Sequence, residues 1–216
     1  MASGKPGAVQ SKSDLIALDE SDTAALITRR LVEEHPYFSK GKVVLAKYGS
    51  ANLASNDLEH FITIIKLYDF VGYMLRYVLY NFDRTTRVTL KYVRPSDDKL
   101  DEYYLSICGF FENFIGNIPS LKSYFEAKPA EQIKVLKSER QTKLNMLYRS
   151  VGLEIFLRTI NQIVASGKTV DEAIAQVTRL PVSFKSKLYA DLLYDVGGER
   201  IIPGRVRITR KLPLTS

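Results

Sequence analysis

The sequence contains very little cysteine, histidine and tryptophan. Its 216 residues include one cysteine, Cys108, two histidines, His35 and His60, and no tryptophan. A single cysteine excludes an intramolecular disulfide framework, and one cysteine with two histidines cannot supply the four ligands of a structural zinc site. We therefore expect a protein of a reducing, cytoplasmic compartment that uses no metal and no other cofactor.

Long apolar runs are also missing, so the sequence predicts no membrane-spanning helix. With 45% hydrophobic and 25% charged residues, the composition is typical of a globular protein with one substantial core. The first 14 residues are rich in Gly, Ser and Lys and lack the apolar stretch of a secretory signal. We interpret residues 1–14 as a flexible lead-in.

Apolar residues recur at helical spacing over most of the remaining chain. Cap and breaker residues, such as His35-Pro36 and the capping box from Thr169 to Glu172, mark several helix ends. Gly167 fits a left-handed helix stop before that box. The predicted helices span about 21–35, 56–82, 97–118, 121–127, 138–165, 170–180 and 183–193.

Two short segments carry strand patterns. Residues 85–93 alternate, with Val88, Leu90 and Tyr92 on one face, and residues 42–48 are rich in β-forming side chains. The sequence thus predicts a mainly α fold, a multi-helix single domain with one or two short β-strands or a small C-terminal hairpin. We expect a helical domain over 15–196 and a basic hairpin or arm over 197–216.

No catalytic motif is complete in this sequence. Gly167-Lys168-Thr169 matches the end of a phosphate-binding loop, but Gln162 stands where that motif requires glycine. Neither histidine lies beside a nucleophile on a tight turn, and Cys108 has no neighbouring cation to activate it. We predict a protein that is not an enzyme; a cleft of perturbed titratable groups would favour the opposite.

Charge is the main functional signal. The chain carries a net charge of +7, and two segments concentrate it: residues 76–94 and 199–211 each hold five basic residues against one acid. Clustered Lys and Arg are the electrostatic signature of a phosphate-binding surface. The candidate nucleic-acid-binding residues are Arg200, Arg205, Arg207, Arg210 and Lys211 in the tail, with Arg84, Arg87 and Lys91 as a second patch.

Short motifs along most of the chain resemble the DGQHR-domain family, which includes the DndB-type proteins of DNA phosphorothioation clusters. They are Gly4-Lys5-Pro6, residues 19–22, 38–43 and 52–58, the helix 110–119, and the closing segments 148–160 and 180–202, where Tyr189 and Tyr194 stand in the aromatic places. The Asp-Gly-Gln-His-Arg motif that names the family is absent. The resemblance therefore implies a C-terminal portion, either a fragment or one part of a split protein, without the lobe that bears that motif.

Two hypotheses for function remain open. The first is a non-enzymatic module of a DNA-modification or phage-defence system, involved in DNA contact or regulation and binding the phosphate backbone with little sequence preference. The second is a protein–protein adaptor or homo-oligomer in which helix 57–80 or an exposed aromatic helix docks a partner or the missing lobe. The aromatic residues in question are Tyr103, Tyr104, Phe110, Phe111 and Phe114.

Overall fold

The computed structural model describes residues 11–39, 41, 43–44, 51–54, 56–190, 192–195, 197–198 and 200–202. The fold is mainly α, as the sequence predicts. The α-helices of the described chain are α1 Lys12–Leu18, α2 Thr23–Glu34, α3 Ile64–Tyr73, α4 Arg84–Tyr92, α5 Asp97–Gly116, α6 Pro119–Glu126, α7 Pro129–Lys137, α8 Ser150–Ala165 and α9 Val170–Val177. Two π-helical turns, Met74–Leu79 and Ser138–Thr142, and the 3₁₀ turn Met146–Tyr148 join them.

The strands are short and form two pairs. Strand β1, Val43–Val44, runs parallel to β2, Ile62–Thr63. Strand β3, Tyr194–Asp195, runs antiparallel to β4, Arg200–Ile201. The second pair is a short hairpin whose first strand precedes the predicted segment 197–216. Residues 203–216 of that segment lie outside the described residues, so the predicted hairpin or arm stays a prediction.

Aromatic side chains fill the centre of the hydrophobic core. Phe61, just before β2, packs its ring against Tyr124 and Phe125 of α6 and against Tyr148. Tyr148 Oη donates a hydrogen bond to the carbonyl oxygen of Ser120 at 2.7 Å. These contacts hold the start of α3, helix α6 and the segment before α8 together.

Residues 138–165, predicted as one helix, form three separate elements. The break lies at Leu144, whose φ is +49°. There the backbone pairs with a distant segment: Met146 N donates to Val182 O at 2.8 Å, and Phe184 N donates to Leu144 O at 3.1 Å. Hydrogen bonds to residues 182–184 thus replace the helical bonds of the predicted helix.

The predicted helix 56–82 begins later, at Ile64. The backbone oxygens of residues 57, 60 and 61 accept hydrogen bonds from the guanidinium of Arg140 and do not serve as helical acceptors. Thr63 then caps α3, because its Oγ1 accepts from the Lys66 amide at 3.2 Å.

The strand prediction for residues 85–93 is wrong, because these residues form helix α4. Asp83 is its N-cap and accepts from the Thr86 amide at 2.9 Å. The local Thr and Val content favours a strand only weakly, and a good cap with one buried contact outweighs it.

Two further predictions change, and a third is described only in part. Residues 183–190, 192 and 193 form turns and bends instead of a helix. Residues 12–14, predicted as lead-in, belong to α1, where Ser11 and Asp14 form a capping box; residues 1–10 lie outside the described part. In the predicted strand 42–48, only residues 43 and 44 are described, and they are extended.

Candidate functional site

Helix α4, which carries the second predicted basic patch, is mostly exposed. It packs against α2, and Leu90 is its one buried residue. Val88 and Tyr92 remain 52% and 65% exposed. The helix therefore presents most of its circumference to its surroundings.

Three of the predicted binding residues lie together on this helix. Arg84, Arg87 and Lys91 are spaced i, i+3 and i+7, which places them on one face of an α-helix. We call these three residues the basic face. The predicted strand 85–93 contained Arg87 and Lys91 but not Arg84, whereas helix α4 contains all three.

No residue of the basic face forms an ion pair within the described chain. Arg84 and Lys91 are exposed, and the guanidinium of Arg87 lies 4.9 Å from the ring centroid of Tyr77. The nearby carboxylate of Asp83 is occupied by the amide and hydroxyl of Thr86, at 2.9 Å each. These hydrogen bonds lower the pKa of Asp83, and the three cations remain available to an external anion.

Neighbouring cations behave differently. Arg94 forms ion pairs with Asp97 at 2.8 Å and with Glu20 at 3.5 Å, and Lys99 pairs with Glu102 at 2.7 Å. The basic face is therefore a local feature of α4, distinct from the paired charges that follow it.

The predicted tail residues are largely outside the described part of the chain. The backbone of Arg200 lies in β4, and Gly197 and Gly198, the described residues before it, lie in a turn. The side chain of Arg200 and all of Arg205, Arg207, Arg210 and Lys211 lie outside the described residues. Their part in binding stays a prediction.

The prediction of an exposed aromatic helix is wrong. Within α5, the aromatic stripe faces the core, and each member is at most 8% exposed: Tyr103, Tyr104, Phe110, Phe111 and Phe114. Most of α3, within the second predicted docking helix 57–80, is buried as well. Apolar burial of α5 therefore stabilises the domain itself.

A second polar feature, which the sequence analysis missed, is a cavity of about 210 Å³ beside the start of α8. Arg140, Gln141, Arg149 and Ser150 are among its lining residues. Arg140 and Arg149 lie in segments predicted as one continuous helix, where basic residues normally face solvent. No sequence signal distinguishes Arg140, because its burial depends on contacts about 80 residues away along the chain.

The surroundings of the single cysteine and of the two histidines are typical of residues with structural roles. Burial raises the pKa of the Cys108 thiol, which agrees with the prediction of an unreactive cysteine. His35 ends α2 and is 2% exposed, and His60 contacts the carboxylate of Asp57 at 3.1 Å. Among the described residues, no three His, Cys, Asp or Glu side chains are grouped as a metal site would require, and no helix there is long and apolar enough to cross a membrane.

Comparisons with protein-family models, curated proteins and solved structures found no match for this chain. The resemblance to the DGQHR-domain family stays a prediction.

Proposed function

We propose that this protein is a non-enzymatic module that contacts the phosphate backbone of DNA through the basic face of α4. The observation that carries the proposal is the set of three cations on one helical face, none of which is paired with a carboxylate in the described chain. The family resemblance favours DNA as the nucleic acid and a DNA-modification system as the setting. The C-terminal basic residues are the proposed second contact.

The physical basis is counterion release. Each Lys or Arg that neutralises a DNA phosphate releases condensed counterions, so binding weakens steeply as salt rises. Cations that are already paired contribute less, because binding would cost them an existing partner. The three unpaired residues of the basic face are thus the strongest contributors among the cations described on α4 and the start of α5.

Backbone contact alone confers little sequence preference. Phosphate contacts position a protein on DNA, whereas base-edge contacts read the sequence. Two exposed aromatic residues lie beside the basic face, Tyr77 and Tyr92, and aromatic rings can stack on the bases of unpaired strands with little sequence preference. Because neither phosphate contacts nor stacking reads base edges, we expect similar affinity for duplexes of unrelated sequence.

The proposal is tested by measuring the salt dependence of binding to a mixed-sequence DNA duplex. The test variant is Arg84→Ala/Arg87→Ala/Lys91→Ala. The control is Lys12→Ala/Arg94→Ala/Lys99→Ala, which removes the same formal charge from residues paired with carboxylates in the structure. Loss of three phosphate contacts lowers the slope of log K against log salt by about 3.

We expect that reduction for the basic-face variant and a much smaller one for the control. An equal change in both variants would mean that only net charge matters, and it would reject α4 as the contact surface. An unchanged slope in the basic-face variant would also reject it.

A further inference from the structure

The polar cavity beside α8 contains buried positive charge without matching negative charge. Arg140 is 7% exposed, Arg149 is partly buried, and neither forms an ion pair within the described chain. Burying a guanidinium without a counterion is costly. Such an arrangement persists most readily where a bound anion supplies the missing charge.

Most N–H donors of Arg140 already form hydrogen bonds within the protein. Its Nε donates to Tyr148 O at 2.9 Å, and its Nη atoms donate to the carbonyl oxygens of Asp57, His60 and Phe61 at 2.7 to 3.0 Å. Carbonyl oxygens satisfy its hydrogen bonds but do not neutralise its charge. Arg140 therefore contributes a fixed positive field at the cavity wall.

Arg149 has N–H donors that form no hydrogen bond within the described chain. Its Nη2 donates to the Arg140 carbonyl oxygen at 3.0 Å, while its Nε is buried and has no hydrogen-bond partner. A buried donor without a partner costs free energy comparable to a lost hydrogen bond. Arg149 lines the cavity, so an anion there can approach its guanidinium group.

The carboxylate of Asp57 offsets part of the positive charge of Arg140. Its Oδ1 also accepts from the amides of Glu59 and His60 at 3.0 and 2.9 Å. The imidazole of His60 contacts the same carboxylate. The carboxylate of Asp57 thus stabilises the turn before β2 through these hydrogen bonds. In the described part of the chain, no acid acts on the charge of Arg149 in the way that Asp57 acts on the charge of Arg140.

The start of α8 adds three further donors at this cavity. Ser150 and Val151 line it, and in the described chain their first-turn amides have no hydrogen-bond partner, nor has the Ser150 hydroxyl. The positive end of a 16-residue helix strengthens the field of the two guanidinium groups. The helix end adds to the positive field, and the two guanidinium groups are its main source.

We propose that this cavity binds a phosphate group, free or carried by a small molecule, with Arg149 as its principal ligand. The charge argues for phosphate over a carboxylate, since a phosphate monoester carries close to two negative charges. It would face one guanidinium without an acid in the described chain, that of Arg149, and a second, that of Arg140, whose charge Asp57 offsets only in part. Arginine also matches phosphate oxygens with paired donors. At about 210 Å³, the cavity far exceeds the roughly 15 Å³ that one water needs, and no residue of α4 lines it.

The test compares thermal unfolding and calorimetric titration with sodium phosphate, AMP and adenosine, each against sodium chloride at matched ionic strength. The full chain is used as wild type, Arg149→Gln, Ser150→Asp and the control Arg158→Gln. Arg158 lies on the same helix but is paired with Glu154 at 3.0 Å. Binding of phosphate alone assigns a free oxyanion, and binding of AMP assigns a phosphomonoester; either result supports the proposal.

We expect Arg149→Gln to weaken phosphate or AMP binding by about ten- to hundredfold, as for loss of a charge-assisted contact, and Arg158→Gln to bind as wild type does. Ser150→Asp places a carboxylate at the site, so we expect it to abolish binding while raising the unliganded melting temperature by about 2–4 °C. The proposal is overturned if neither phosphate nor AMP binds the wild type beyond the chloride reference, or if adenosine binds as well as AMP. It is also overturned if both site variants bind as wild type does.

Discussion

Arg149 donates a hydrogen bond from Nη2 to the backbone carbonyl oxygen of Arg140 at 3.0 Å, so the side chain of one arginine is tied to the backbone of the other. Burial lowers the pKa of both guanidinium groups. Their roles nevertheless differ. Arg140 joins the turn before β2 to the segment before α8, whereas Arg149 contacts the protein through one donor.

The first prediction follows from this difference. Arg140→Gln leaves several buried carbonyl oxygens without donors, so we expect a loss of about 3 kcal/mol or more in the free energy of unfolding. Arg149→Gln removes an unneutralised charge, and we expect a change of less than about 1 kcal/mol. Urea denaturation of both variants measures the contrast, and equal losses would contradict it.

The second prediction concerns Gly152, near the start of α8. A Cβ at this position would lie 2.0 Å from the carbonyl oxygen of Met146, so the helix can approach the preceding turn only without a side chain. We expect Gly152→Ala to cost about 3 kcal/mol of stability by overpacking.

Gly109 provides the matched control for Gly152. It lies within α5, and a Cβ there would meet no atom within 4 Å. Because alanine favours a helix interior, we expect Gly109→Ala to stabilise the protein by about 0.5–1 kcal/mol. A destabilised Gly109→Ala, or an unaffected Gly152→Ala, would refute this account of the two glycines.

The third prediction concerns the link between α3 and the cap of α2. Tyr68 Oη donates to Asp22 Oδ2 at 2.7 Å, while Asp22 Oδ1 accepts from the amides of Ala24 and Ala25. Burial and this contact raise the pKa of the Tyr68 phenol. We expect Tyr68→Phe to lower the free energy of unfolding by about 1.5–3 kcal/mol, because it leaves a buried carboxylate oxygen without a donor.

Tyr80→Phe is the control for that measurement. The Tyr80 hydroxyl contacts Ser106 at 2.9 Å and Glu102 at 3.2 Å in a partly exposed position, where water can replace it. We expect a loss below about 1 kcal/mol. A loss as large as that of Tyr68→Phe would show that burial does not set the difference.

The fourth prediction is a pH dependence of stability. His35 is 2% exposed, and its buried Nε2 has no hydrogen-bond partner. The groups facing it are the Tyr37 amide, which donates to Nδ1 at 3.2 Å, and the Glu112 carboxylate at 4.0 Å. Burial lowers the pKa of His35 and Glu112 opposes this shift only in part.

The sign of the effect follows from proton binding. As pH falls below about 6.5, the unfolded chain protonates His35 while the folded chain does not, so stability decreases. We expect His35→Gln to flatten this part of the pH profile and Glu112→Gln to steepen it, as measured by urea midpoints between pH 5 and 7.5. A His35→Gln profile parallel to that of the wild type would exclude the assignment.

Local sequence signals were sufficient for some elements. Helix α9 begins at Thr169, where Glu172 completes the predicted capping box, and Gly167 has the expected positive φ of 94°. The aromatic stripe of α5 also follows from its spacing. Helix α6 was predicted from residue 121 and begins two residues earlier, at Pro119, since proline is favoured at a helix start. In these cases nearby residues and tertiary packing favour the same structure.

The missed features depend on contacts between distant residues. The break at Leu144 is stabilised by residues 182–184, and the late start of α3 by Arg140. Helix α4 differs, because its cap is local, at Asp83, but the prediction followed the alternating pattern that favours a strand. The basic residues of the α4 site were therefore found from charge alone, and the cavity at Arg149 was not found at all.

The proposed contact with DNA is tested most directly by titrating the isotope-labelled protein with a DNA duplex and mapping the backbone amide shifts. We predict that the largest shifts among the described residues fall on residues 84–94, with little change on α6 and α7, and that added salt reverses them. Shifts confined to other helices, or none at low salt, would contradict the account.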